Sequence, residues 1–157
     1  MSKEQLSSMI KYLTCKFAEF YSYFPQSEKK GIEYNGSISL EDELSRGYCL
    51  HYAAFLKKIF PEGQIYLAKN FYHYIFQYDE NFYDYRGLIG NEENIEISPN
   101  FFINKKDLFE QPIENIHEEF QKTPLIYAEK DPVWSKIEPK LLELAEKLKK
   151  EGFSQCR

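Results

Sequence analysis

Cys49, His73 and Asp84 follow one another along a short stretch of a 157-residue chain. A thiol, an imidazole and a carboxylate together suit nucleophilic acyl chemistry. The thiolate attacks, the imidazole takes and returns a proton, and the carboxylate orients the imidazole. Each residue has a fitting local context. Cys49 opens a helical pattern directly after Gly47 and Tyr48, and a helix N-terminus favours a thiolate. His73 lies in the aromatic run Phe71–Phe76 and Asp84 in the run Phe82–Arg86, both of strand character.

Side-chain alternation decides whether the two runs bring His73 and Asp84 together. In an antiparallel hairpin, opposed residues share a face, as do residues two apart on one strand. A two-residue loop at Asp79-Glu80 makes Tyr78 oppose Asn81 and Asp84 oppose Ile75. His73 then becomes the diagonal neighbour of Asp84, about 7–8 Å away at Cα and within side-chain reach. A loop at Glu80-Asn81 keeps the face but widens the gap, and a plain three-residue loop puts the pair on opposite faces. In the first register Tyr72, Tyr74 and Phe76 take the other face. The Cys49 helix is expected to pack across the His73 face. Its N-terminus would point at the imidazole, and its free N–H groups would be available to an oxyanion.

Around this centre the chain reads as alternating helix and strand patterns. Residues 3–24 form an amphipathic helix pattern through Leu6, Met9, Ile10, Leu13, Phe17 and Phe20, with a capping box at Ser2 and Gln5. Residues 26–38 read as a loop, and Ser39 as the cap of a short helical start. A helix over residues 48–60 is stopped by Pro61-Glu62-Gly63. Strands are expected at 64–68, 71–78, 82–86 and 94–98, with 87–93 as a loop and Phe101–Ile103 as a short apolar patch. Residues 106–121 read as helical, Leu125–Ala128 is ambiguous, and Asp131-Pro132 starts a last helix faced by Trp134, Ile137, Leu141, Leu144, Ala145 and Leu148. No linker or repeat divides the chain, so residues 1–157 read as one domain.

The pattern Gly47-x-Cys49-x-x-x-Ala53, then His73-Tyr74-Ile75-Phe76, then Phe82-Tyr83-Asp84-Tyr85-Arg86-Gly87 resembles the transglutaminase-like and papain-like cysteine hydrolase superfamily. Within it the pattern is similar to small bacterial and phage members. The resemblance covers residues 47–87. It implies Cys49 as nucleophile, His73 as general base and acid, and Asp84 as orienter. It also implies an α+β fold whose central antiparallel sheet of three to four strands is packed by N-terminal, nucleophile-bearing and C-terminal helices. The expected activity is that of a thiol-dependent acyl hydrolase or acyl transferase of protease, amidase, deamidase or transglutaminase type. Its substrate would be a protein, a peptide or a small amide or acyl compound, and it would need no cofactor. Upstream of Cys49 stand Glu41, Asp42, Glu43 and Ser45 rather than papain's oxyanion glutamine, so the oxyanion would rest on backbone N–H groups. Tyr48 and Tyr85 are candidate substrate-contacting rings beside the thiol.

Each residue also has a plainer reading. Cys49 lies on its helix's apolar stripe and would serve as a packed core thiol. His73 would be a satisfied core imidazole, and Asp84 would simply pair with Arg86. The same fold without catalysis would be a binding or inhibitor module for a protein partner. His51 lies about 200° around the helix from Cys49 and is expected to face solvent or a loop. His117 reads as a surface residue. Cys49, His51, His73 and Asp84 lack any recognised metal-ligand spacing.

Composition narrows the classes further. Hydrophobic residues make up 43% and charged residues 29% of the chain, enough for one core and a solvated surface. The 13 Tyr and 13 Phe against one Trp favour strands and buried faces. A net charge of -5 argues against a general nucleic-acid binder. Cys15, Cys49 and Cys156 form no paired framework, which suits a reducing compartment. No run approaches the roughly 18 apolar residues of a membrane span, and the first residues carry an acid and no apolar segment. The expectation is a cytoplasmic protein, or one injected into another cell.

Overall fold

Reciprocal bonds at the N-terminus start the first helix. The Ser2 amide donates to Gln5 Oε1 at 2.9 Å and the Gln5 amide to Ser2 Oγ at 3.1 Å. This is the capping box, and it satisfies donors that a helix start leaves free. In the computed structural model, which describes residues 1–22, 49–71, 73–111 and 132–151, helix α1 runs Lys3–Ser22. Helix α2 runs Cys49–Ile59 and helix α3 runs Pro132–Glu151. Pro132 stands in the first turn of α3, where a missing N–H costs nothing. The expected loop at 26–38, the cap at Ser39, the helical pattern beyond residue 111, the segment Leu125–Ala128, Tyr48, His117 and Cys156 lie outside the described residues.

Between α2 and α3 come the strands β1 (Gln64–Ala68), β2 (His73–Tyr78), β3 (Asn81–Asp84), β4 (Gly87–Asn91), β5 (Ile95–Ser98), β6 (Phe101–Ile103) and β7 (Leu108–Gln111). They form one sheet in the order β6-β5-β4-β3-β2-β1-β7, with every pair antiparallel. The sheet therefore has seven strands, curled into a half-barrel, which corrects the expected three to four. Three strands escaped the sequence. β4 carries two glycines in five residues and reads as a loop. Gly90 nevertheless belongs to the ladder: at φ 150°, a Cβ there would lie 2.0 Å from the Asn94 carbonyl oxygen, so only glycine lets the chain pass this close. β6 is three residues long and half exposed. β7 lies at the start of the helical pattern expected over 106–121, and its strand form comes from pairing with the distant β1 (Ile65 with Gln111, Ala68 with Leu108). Propensity yields there to a tertiary ladder.

The sheet buries both faces. One face sets Ile65, Phe76 and Tyr83 against Leu6, Met9, Ile10, Leu13 and Phe17 of α1, Leu50, Ala53, Phe55, Leu56 and Ile59 of α2, and Ile137, Leu141, Ala145 and Leu148 of α3. The other gathers Tyr66, Ala68, Ile75, Phe82, Ile89, Ile95 and Ile97, all from strands, and is the inside of the curl. A bulge where β3 pairs with β4 leaves Ile89 without an opposed residue and adds to the bend. The curl brings Phe101, at the start of β6, to a ring distance of 5.0 Å from Phe71, in the β1–β2 connection. Among the described residues no helix is long and apolar enough to cross a membrane.

Candidate active site

The turn fixes the register on which the site depends. Asp79 (φ 57°) and Glu80 (φ 69°) both adopt left-handed backbone, as a type I′ hairpin requires. Tyr78 pairs with Asn81, Gln77 with Phe82 and Phe76 with Tyr83. Of the loops that the sequence left open, the two-residue loop at Asp79-Glu80 therefore forms. His73, the first residue of β2, and Asp84, the last of β3, meet at one end of the sheet. His73 Nε2 and Asp84 Oδ2 are 2.9 Å apart, and each residue is 4% exposed.

Cys49 reaches the pair by a different route from the one expected. Strand alternation puts His73 and Asp84 on the inner face with Ile75 and Phe82, whereas α2 packs its body on the outer face against Phe76 and Tyr83. The helix does not cross the His73 face. His73 and Asp84 meet because each terminates its strand, and Cys49 lies at the start of the described part of α2. Cys49 is 5% exposed, and it is among the groups that raise the His73 pKa. Asp84 occupies Nε2, so Nδ1 is the nitrogen left for sulfur. Nδ1 is buried and, among the described residues, has no hydrogen-bond partner.

The electrostatics of the pair follow from this packing. Burial alone would push the His73 pKa down. The hydrogen bond to Asp84 and the charges of Asp84 and Cys49 outweigh burial and push it up to about 9. Burial alone would raise Asp84. Hydrogen bonds and positive charge from His73 and Arg86 outweigh that and hold the carboxyl below the usual carboxylate range. Near neutral pH the site thus contains an imidazolium beside an ionised carboxylate.

Other sequence candidates fall in different places. Tyr85 is half-buried against the helix-side core, in the turn after β3. Its carbonyl accepts from the Thr14 hydroxyl of α1 at 2.7 Å. Tyr52 of α2 donates to the Ile10 carbonyl at 3.1 Å and meets Thr14 Oγ1 at 2.6 Å, so this network ties both helices to the turn that carries the carboxylate. His51 is buried rather than solvent-facing. Desolvation pushes its pKa down to about 3, so it is neutral across the ordinary range. The pair of Asp84 with Arg86 that the plainer reading expected does form, with Arg86 Nη2 2.8 Å from Asp84 Oδ2. The signal was its spacing: two residues after Asp84, just past the strand end. Among the described residues no cluster of three or more His, Cys, Asp or Glu side chains is arranged to hold a metal ion.

A family model described as phage YunG-like protein matches residues 23–129, well over half of the chain. The chain belongs to the phage YunG-like family. The YunG-like segment contains Cys49, His73, Asp84 and Arg86, and therefore the whole candidate site. Helices α1 and α3 lie outside it. No curated protein and no solved structure matches the chain.

Proposed function

We propose that this YunG-like protein is a thiol-dependent acyl hydrolase or acyl transferase. Cys49 would be the nucleophile, His73 the proton carrier and Asp84 the orienting carboxylate. The observation that supports this reading most is the buried His73–Asp84 pair at 2.9 Å, with the Cys49 thiol among the groups that raise the imidazole pKa. The motif resemblance to transglutaminase-like and papain-like cysteine hydrolases points the same way, as regards chemistry and not the sheet.

In the proposed reaction the Cys49 thiol proton is already held on His73, and the pair reacts as thiolate and imidazolium. The Cys49 sulfur attacks the carbonyl carbon of an amide, ester or thioester in a protein, peptide or small-molecule substrate. The C–S bond forms as the carbonyl π pair moves onto oxygen. Backbone N–H groups in the first turn of α2, that of Cys49 among them, would be the donors for that oxyanion. Collapse expels the leaving group, which takes the proton from His73 and leaves an acyl-thioester. Water gives its proton to His73, attacks the thioester and releases the acid; an amine in its place gives transfer.

The burial of all three groups favours a second reading, in which the trio is structural and the protein binds or inhibits a protein partner. The two readings separate in an alkylation experiment with iodoacetamide, small enough to approach a recessed thiol, followed by peptide mass spectrometry. The enzymatic reading expects Cys49 to label at pH 6–7, and His73→Ala to slow that labelling by roughly 10- to 100-fold. Equal rates in the two folded proteins, or no labelling of Cys49 in either, would reject a Cys–His pair.

A further inference from the structure

We infer that Arg86 is the positioning residue of this site, its guanidinium fork holding the Asp84 carboxylate aimed at His73. The inference deepens the triad reading and rests on it. Asp84 Oδ1 accepts from the Arg86 backbone amide at 2.8 Å and from Arg86 Nε at 3.2 Å. Oδ2 accepts from Arg86 Nη2 at 2.8 Å and Nε at 3.1 Å, while His73 Nε2 sits 2.9 Å away. Oδ1 is thus fully occupied by Arg86, and the carboxylate cannot rotate without giving up a two-point contact. Only Oδ2 is left facing the imidazole.

The fork is itself anchored. Nη2 also donates to the Glu96 carbonyl at 2.7 Å, and Nη1 lies 3.6 Å from the Glu96 carboxylate. Arg86 therefore ties Asp84, at the end of β3, to the backbone of β5. A lysine would bring the charge but not the fork. The charged and titratable groups around the carboxylate are His73 from β2, Cys49 and Tyr52 from α2, Arg86 from the turn, and Glu96 behind Arg86 on β5.

The sign of one measurement separates positioning from simple charge. Removing a neighbouring cation, by charge alone, raises the pKa of His73. Losing the aim of the carboxylate removes the imidazolium's partner and lowers it. The experiment is an NMR titration of the His73 ring in the full chain, wild type against Arg86→Gln, with Arg86→Lys as the milder variant. The expected result is a midpoint lower by about one pH unit or more in Arg86→Gln, toward the free value near 6.5. Arg86→Lys should fall in between. An unchanged or raised midpoint in Arg86→Gln overturns the inference. Should that variant fail to fold, Arg86→Lys decides: a midpoint below wild type supports the fork, and one at or above it does not. The titration requires no reaction. An inert Cys49 would therefore sink the acyl-transfer reading while leaving the role of Arg86 measurable.

Discussion

The His73 proton couples the site to the stability of the fold. In the unfolded chain a histidine titrates near 6.5, and in the folded protein His73 is pushed up to about 9. Its contribution is therefore complete below about pH 6.5 and is lost as pH rises through about 9. Asp84 works in the opposite direction. Its lowered pKa gives a contribution present above the unfolded value near 3.9, lost as pH falls through the folded one. Urea unfolding of the wild type should weaken between pH 6.5 and 9 relative to His73→Gln, by on the order of 2 kcal/mol. Parallel profiles for the two proteins across that window would mean that the imidazole carries no proton of raised affinity. At this scale the sequence was informative where chemistry is local. Cys49, His73 and Asp84 could be singled out by type and context, and parity correctly paired two of them. The burial of His51 and the anchoring of Arg86 to β5 were not legible, because each depends on what other elements bring alongside.

Among the elements, the β2–β3 hairpin matters most, since a slip of one residue would turn Asp84 to the outer face. Its turn carries a local cost. Glu80 holds φ 69° with a full side chain, a conformation glycine adopts far more readily. Glu80→Gly should stabilise the protein by roughly 0.5–1 kcal/mol in thermal or urea unfolding and leave the His73 titration unchanged. A single glycine inserted between Gln77 and Tyr78 leaves the turn in place and slips the rest of β2 by one residue against β3. It should abolish the raised His73 midpoint, unless a bulge absorbs the extra residue. If the insertion leaves that midpoint near 9, the hairpin register is not what joins His73 to Asp84. The turn was readable from the sequence because Asp79-Glu80-Asn81 separates two aromatic runs of opposite chain direction. β4 was not, since glycine is a loop signal wherever the close approach that requires it is unknown.

For the molecule as a whole, the helix-side core is assembled from segments far apart in sequence. α1 and α3 lie outside the YunG-like segment, yet they bury Leu13, Phe17, Ile137, Leu141 and Leu148 in the same cluster as Phe55 and Leu56 of α2. The apolar stripes of these helices were evident in the sequence, because a period of 3.6 residues is a local property. That β7 would return to β1 and close a seven-stranded curl was not evident, because strand pairing over such distances leaves no periodic trace. α2 owes its placement, and hence that of Cys49 at its first residue, to this shared core rather than to a long ladder of its own. Leu141 is completely buried on α3, a helix that packs chiefly on α1 and α2. Leu141→Ala should therefore cost about 2–5 kcal/mol in urea unfolding and leave the His73 midpoint unchanged in the protein that remains folded. The β2–β3 hairpin holds His73 to Asp84 whatever cavity opens beneath α3. An undiminished stability would show that α3 rests on the surface instead of completing the core. A loss of stability together with a fallen His73 midpoint would show that the helix layer, and not the hairpin alone, sets the geometry of the site.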